Sequence, residues 1–174
     1  MIIIHAVQKL LNTSRLKTSL YVSKPGEGQQ LHSWYVRLFS STFRGKLFVM
    51  YVHEPSLLTI ICRGKTISGT WPEFLIRLTA LLKRYDLSDE FIQFEMKEMD
   101  GYVVAKTNSK SMLAHMNQMV FLLEYVCSRS SSYESILPDQ LEDILMDNLY
   151  QTGNKERPYI TPKEFWQLKA KPDS

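Results

Sequence analysis

The residues best suited to chemistry fall in one short run, Lys106-Thr107-Asn108-Ser109-Lys110-Ser111. It follows the apolar stretch Tyr102–Ala105 and precedes a long helical pattern. A strand-to-helix junction leaves the first N–H groups of the helix without acceptors, and the helix dipole adds partial positive charge there. An anion suits such a place. Lys106 and Lys110 contribute full charges, and the hydroxyls of Thr107, Ser109 and Ser111 can complete a phosphate cradle. The plain alternative is that Asn108 or Ser109 is only an N-cap with solvated neighbours. The run has no Gly-rich loop, so it is not a P-loop.

Asn117 lies on the same helix, next to Met116, and is expected on its buried side, where an amide needs partners. His115 is the nearest group able to exchange a proton near neutral pH, and it is the one catalytic candidate as a general base. The other histidines, His5, His32 and His53, form no metal-ligand spacing with it or with one another, so no metal site is expected. There is no GxSxG elbow, and no cofactor is implied. A second constellation mixes aromatic and basic side chains: Trp34, Tyr35, Arg37, Phe39, Phe43, Arg44 and Lys46. Stacking aromatics beside phosphate-neutralising cations are what a single-strand-binding sheet uses, with Arg37, Arg44 and Lys46 as the nucleic-acid candidates. The alternative is core aromatics beside ordinary surface cations. The acidic runs Glu90–Asp100 and Asp139–Asp147 read as solvated helix faces.

These residues need elements to position them. Ile2–Ala6 reads as a buried strand, Val7–Leu11 as a turn or two of helix, and 12–30 as a loop rich in Ser, Thr, Lys and Gly. Trp34–Phe39 alternates as a half-buried strand, and Leu47–Val52 and Leu57–Cys62 follow across short turns, which favours an antiparallel meander. Trp71, Phe74, Leu75, Leu78, Leu81, Leu82 and Tyr85 mark one helix face. Thr70 and Glu73 are placed to cap that helix. Ser88 opens a second helix to about Met99, with a strand through Ile92, Phe94 and Met96 as the alternative. Tyr102–Lys106 is a strand. A helix over 109–127 buries Met112, Leu113, Met116, Val120, Leu123 and Cys127, and one over 138–150 buries Leu141, Ile144, Leu145 and Leu149. Thr161 and Glu164 form another capping box. The order predicts a single α+β domain over 1–174, a mixed and mainly antiparallel sheet of about five strands covered by helices, with 136–174 as a C-terminal helical extension.

The chain has 174 residues, 44% hydrophobic and 22% charged, which excludes disorder, collagen-like repeats and low-complexity architecture. The net charge of +3 conceals an asymmetry: residues 1–84 carry a net +9, residues 85–149 a net −8 and the remainder +2. The two halves either attract each other within the fold or present a basic face to an anionic partner. Cys62 and Cys127 sit in apolar runs and read as reduced core thiols. The first residues lack a basic signal n-region, and no apolar run is long enough for a membrane span, so a cytoplasmic protein without a membrane partner is expected.

Three local patterns occur together: IIIHA-x-QKLL at Ile2–Leu11, the pair Trp34-Tyr35, and AKTNSKSMLAHMNQ at Ala105–Gln118. Their order resembles a group of small bacterial proteins known only as a domain of unknown function, with an N-terminal strand, a TKKL-like turn and a KTxxRSxLGSMN-like signature. Lys9, Trp34, Tyr35, Lys106, Thr107, Ser111, Leu113, Met116 and Asn117 match it. Val7-Gln8 and Ala114-His115 depart from it, the latter replacing Gly-Ser. The resemblance implies the order of elements and a bacterial origin, and it implies no activity. The residues themselves point to a binding or interaction module for a nucleotide or nucleic-acid phosphate. Two rivals are an enzyme acting on a phosphorylated or nucleic-acid substrate, and one half of a bacterial stress or defence pair docking a protein partner on the acidic helix.

Overall fold

A computed structural model describes residues 1–169. The last five positions of the expected C-terminal extension lie outside the described residues. The elements run β1 (Ile2–Ala6), α1 (Gln8–Ser14), β2 (Ser33–Ser40), β3 (Leu47–His53), β4 (Thr59–Arg63), α2 (Ile67–Arg84), α3 (Asp89–Glu98), β5 (Tyr102–Lys106), α4 (Lys110–Ser128), α5 (Pro138–Met146), β6 (Tyr150–Gln151), β7 (Tyr159–Ile160) and α6 (Pro162–Lys169). The fold is α+β, and its main sheet has five strands in the order β4-β3-β2-β1-β5. Short turns join β2, β3 and β4, and short turns permit only antiparallel neighbours. β1 reaches β2, and β4 reaches β5, through long crossovers, and β1 is parallel to both β2 and β5. Two ladders are parallel and two antiparallel, the antiparallel ones holding twelve residue pairs against nine, so the sheet is mixed and mainly antiparallel.

Helices cover both faces. Trp34, Val36 and Leu38 of β2 join Ile2, Ile4, Phe74, Leu78 and Leu82 in one core. Tyr35 and Phe39 join Met112, Met116, Met119, Leu123 and Leu145 in the other. The half-buried strand expected at 34–39 is thus buried on both sides, because α4 lies over the face that alternation alone assigns to water.

The helix starts follow local chemistry, with one displacement. α2 begins a turn earlier than the Thr70–Glu73 pair suggests: Thr66 Oγ1 accepts from the Gly69 N–H at 3.1 Å. Thr70 is buried, its hydroxyl donating to the Thr66 carbonyl and meeting the Tyr51 hydroxyl at 2.7 Å. Ser88 caps α3, so Ile92, Phe94 and Met96 are helical and the strand alternative is excluded. Thr161 and Glu164 form the expected reciprocal box, each side chain accepting from the other's N–H at 3.0 Å.

β4 is an edge strand, and α5 closes it. Glu142, fully buried, accepts from the Ile61 N–H at 2.9 Å. Covering an exposed edge in this way blocks strand addition. Arg77 of α2 reaches Glu142 at 2.8 Å and Asp139 at 2.6 Å, and Arg84 reaches Asp143 at 3.0 Å. Burial pushes the Glu142 carboxyl up, and Arg77 opposes that push. Glu95 is likewise buried and accepts from the N–H groups of Gln30 and Leu31. Both acidic runs therefore carry a buried anchor, contrary to their reading as solvated faces. Ile144 and Leu149, expected inside, are exposed instead; α5 turns Glu142 and Met146 inward. No helix among the described residues is long and apolar enough to cross a membrane.

Candidate functional site

β1 and β5 run parallel, and both end where the chain turns into α4 after only three residues. Two contacts hold that turn. The His5 Nδ1–H donates to the Lys106 carbonyl at 3.0 Å, and the Tyr35 hydroxyl donates to the Asn108 side-chain oxygen. The Tyr35 ring stacks on His5, with centroids 4.7 Å apart. Burial, with the Glu54 charge second, pushes the Tyr35 phenol up, so it stays a donor at neutral pH. Ser109 is the N-cap, its hydroxyl accepting from the Met112 N–H at 3.2 Å. The N–H groups of Lys110 and Ser111 lie beyond reach of any intrahelical carbonyl and stay open to a ligand.

This helix start opens onto a cleft of about 380 Å³. Ser109, Ser111, Met112 and His115 form one wall, and the β3–β4 turn with Glu54 and Ser56 forms the opposite one. Tyr150, Gln151 and Thr152 of the β6–β7 hairpin and Phe165 of α6 close the remaining sides. An outer groove of about 530 Å³ shares Ser111, His115, Gln151 and Thr152 with it. A cleft of this size suits a mononucleotide-sized ligand. Its polarity is divided: open N–H groups on the α4 side, and on the β3–β4 turn the Glu54 carboxylate, which accepts from the Ser33 hydroxyl at 3.2 Å.

Burial lowers the His115 pKa, so the ring is neutral at pH 7, edge-on to Tyr150 with centroids 5.6 Å apart. It has no hydrogen-bond or ion-pair partner among the described residues. The Tyr150 hydroxyl is buried and makes no hydrogen bond of good geometry among them either. Burial pushes that phenol up to about 12, with the Asn148 side chain pulling the other way. A buried donor without an acceptor costs on the order of 1–3 kcal/mol, which a ligand oxygen can recover.

The remaining candidates scatter. Lys106 and Lys110 are exposed beside the cleft and form no ion pair among the described residues; Thr107 is half-buried. Asn117 is exposed, contrary to expectation, because α4 turns Met116 and Met119 inward; its side-chain oxygen accepts from Arg37. Arg37 thus belongs to the seam between β2 and α4, with Glu124 opposing the effect of its burial. Arg44 and Lys46 flank Gly45 in the β2–β3 turn, at the other end of β2 from Glu54. Trp34, Tyr35 and Phe39 are buried, so the sheet offers no stacking platform, and the three cations do not converge. Glu54, Ser56 and Tyr150 escaped the sequence reading. Glu54 and Ser56 look like turn residues, and Tyr150 reaches the cleft only through a two-residue strand.

Among the described residues one serine hydroxyl bonds a histidine ring. The Ser56 hydroxyl donates to His53 Nδ1 at 2.6 Å and accepts from the Leu58 N–H at 3.2 Å and the Trp166 indole N–H at 3.0 Å. With its proton and both lone pairs engaged, this hydroxyl is a structural tie and not a nucleophile.

The family model for a domain of unknown function, DUF6933, matches residues 3–165. The chain belongs to this family. DUF6933 therefore takes in the main sheet but for Ile2, the start of α4 and the whole β6–β7 hairpin. A search of curated proteins finds no match to the chain.

Proposed function

We propose that this DUF6933 protein is a cytoplasmic, non-catalytic binding module for a ligand bearing phosphate, a nucleotide or a short single-stranded nucleic-acid end. One observation carries the reading. The cleft of about 380 Å³ opens on the first turn of α4, where two N–H groups lack intrahelical acceptors, and Ser111 and His115, one turn apart, line it from the same helix face. Lys106 and Lys110 stand nearby without carboxylate partners among the described residues and add long-range attraction. Glu54, opposite, suits a ligand hydroxyl or amine, so the ligand is polar at both ends. The uncommitted Tyr150 hydroxyl supports an acceptor-bearing ligand.

The rival enzymatic reading needs His115 as a base, and a base of this kind is oriented by a partner group, which His115 lacks among the described residues. The docking of a protein partner on the acidic helix competes with Arg77 and Arg84, which already engage its carboxylates.

Titration with inorganic phosphate, a mononucleotide and a short single-stranded oligonucleotide, followed by amide chemical shifts, tests the proposal. Shifts should centre on 109–115 and weaken as salt rises from about 50 to 300 mM. Ser111→Glu should abolish them, and Lys110→Ala should reduce affinity severalfold. Absence of binding by all three probes at the lower salt overturns the proposal. Turnover of a phosphorylated substrate that vanishes in His115→Ala would favour the enzyme instead.

A further inference from the structure

The outward face of α4 carries a pattern that a solvent-facing helix has no use for. Ala114, Gln118, Phe121 and Tyr125 succeed one another at four, three and four residues, the spacing of a helix–helix seam. Phe121 is 81% and Tyr125 58% exposed. From Ser111 to Leu123 the helix has no Lys, Arg, Asp or Glu. The inner face is already committed to Met112, Met116, Met119 and Leu123, so the seam is a second apolar stripe, on the opposite side. Leu149, 62% exposed, and Tyr159, 57% exposed, flank it across the groove that Ala114 and Gln118 line.

We infer that this face binds a second copy of the chain, the two α4 helices packing antiparallel across a two-fold axis. The spacing reads the same in both directions. A two-fold midway between Val120 and Met119 therefore sets Ala114 against the second copy's Tyr125, and Gln118 against its Phe121. Tyr125 then meets the small Ala114, and Phe121 meets the unbranched Gln118, so no two rings collide and the layers can pack densely. A parallel pairing would oppose Phe121 to Phe121 and leave a gap at Ala114. The four large side chains present roughly 500 Å² per chain, about the upper end for a monomer's largest apolar patch, and a two-fold doubles this to about 1,000 Å², the threshold for a specific interface. Ser111 and Ser128 meet at the outer layers, with Lys110 and Arg129 beyond them. The ends repel and the centre is neutral, so the pair should hold or tighten with added salt. This inference does not depend on the anion reading, which predicts the opposite salt dependence.

Light scattering behind size exclusion, and sedimentation, test it on the full chain. At about 100 μM the mass should be twice the 20.3 kDa of one chain. Phe121→Glu should return it to a monomer, while Ile76→Glu, at an exposed apolar position on α2, should leave the dimer intact. Gln118→Lys, away from either core, should also dissociate the dimer, which covers the case that Phe121→Glu misfolds. On mild oxidation with diamide, which takes up the two electrons and two protons, chains carrying Ala114→Cys should form a mixed disulfide with chains carrying Tyr125→Cys. A monomeric wild type at this concentration, a dimer that survives both Phe121→Glu and Gln118→Lys, or cysteine chains that link only to their own kind overturns the inference. Phosphate titration of Phe121→Glu, followed separately, tells failure of the dimer from failure of the binding site.

Discussion

At the scale of single residues, Ser56 and His53 decide how the cleft wall is held. One hydroxyl ties the β3–β4 turn to α6 through Trp166, and to the loop before β2 through His53, whose Nε2–H donates to the Gln30 carbonyl at 2.8 Å. This arrangement requires a neutral imidazole, since Nδ1 must accept. Complete burial lowers the His53 pKa to about 4, against the pull of the Gln30 carbonyl. The unfolded chain takes up a proton near pH 6.5 while the folded one does not, so stability falls as pH drops from 6.5 toward 4. The expected loss is on the order of 3 kcal/mol from this group. Urea unfolding of wild type and His53→Asn at pH 7 and pH 4 checks it. The variant, though less stable at pH 7, should lose distinctly less on acidification, and parallel losses would show that His53 does not titrate this way.

At the scale of elements, α2 and α4 show how a helix start is chosen. Two Thr residues compete to open α2, and the outcome turns on Thr70 having a better use inside, against Tyr51, while Thr66 lies free to cap. Thr66→Ala should therefore cost about 1 kcal/mol, whereas Glu73→Ala should cost little, and thermal unfolding of the two variants distinguishes the actual cap from the one the spacing suggests. α4 does three jobs with three faces: its Met-rich side fills one core, its first turn opens the cleft, and its outer stripe carries the proposed seam. The inner and outer stripes overlap in hydropathy, so the helix looks nearly apolar all round, and a helix of that kind expects partners on both sides.

At the scale of the whole molecule, the opposed charges of the two halves are spent partly inside. Arg77 and Arg84 of the basic half hold Asp139, Glu142 and Asp143 of the acidic half, and through them α5 is pinned over the β4 edge. Removing one partner strands a buried charge. Arg77→Ala should destabilise the fold by on the order of 3 kcal/mol, measured by urea unfolding, and Arg77→Met combined with Glu142→Gln, which keeps an acceptor for the Ile61 N–H, should recover much of that. A double variant no better than Arg77→Ala would mean that Arg77 stabilises mainly by its contact with Asp139. Most other cations form no ion pair among the described residues, Lys9, Arg15, Arg44 and Lys65 as well as Lys106 and Lys110 at the start of α4, so much of the basic charge faces solvent.

The sequence by itself determined the order of elements as far as the start of α5, the meander of β2 to β4, the start of α4 at Ser109 and the box at Thr161–Glu164. Each of these rests on contacts between residues close along the chain: alternation, turn length and side-chain caps. The helix expected over 138–150 instead ends at Met146, and the β6–β7 hairpin interrupts the helical extension expected over 136–174. Only the tertiary structure decided that both faces of β2 are covered, that Glu142 and Glu95 are buried anchors, and that Asn117 looks outward to Arg37. It also decided that Glu54 and Tyr150 share a cleft with Ser111, while Arg44 and Lys46 sit at the far end of the sheet. Those outcomes depend on which surfaces meet across about forty to eighty or more residues of chain, and local spacing carries no record of such encounters.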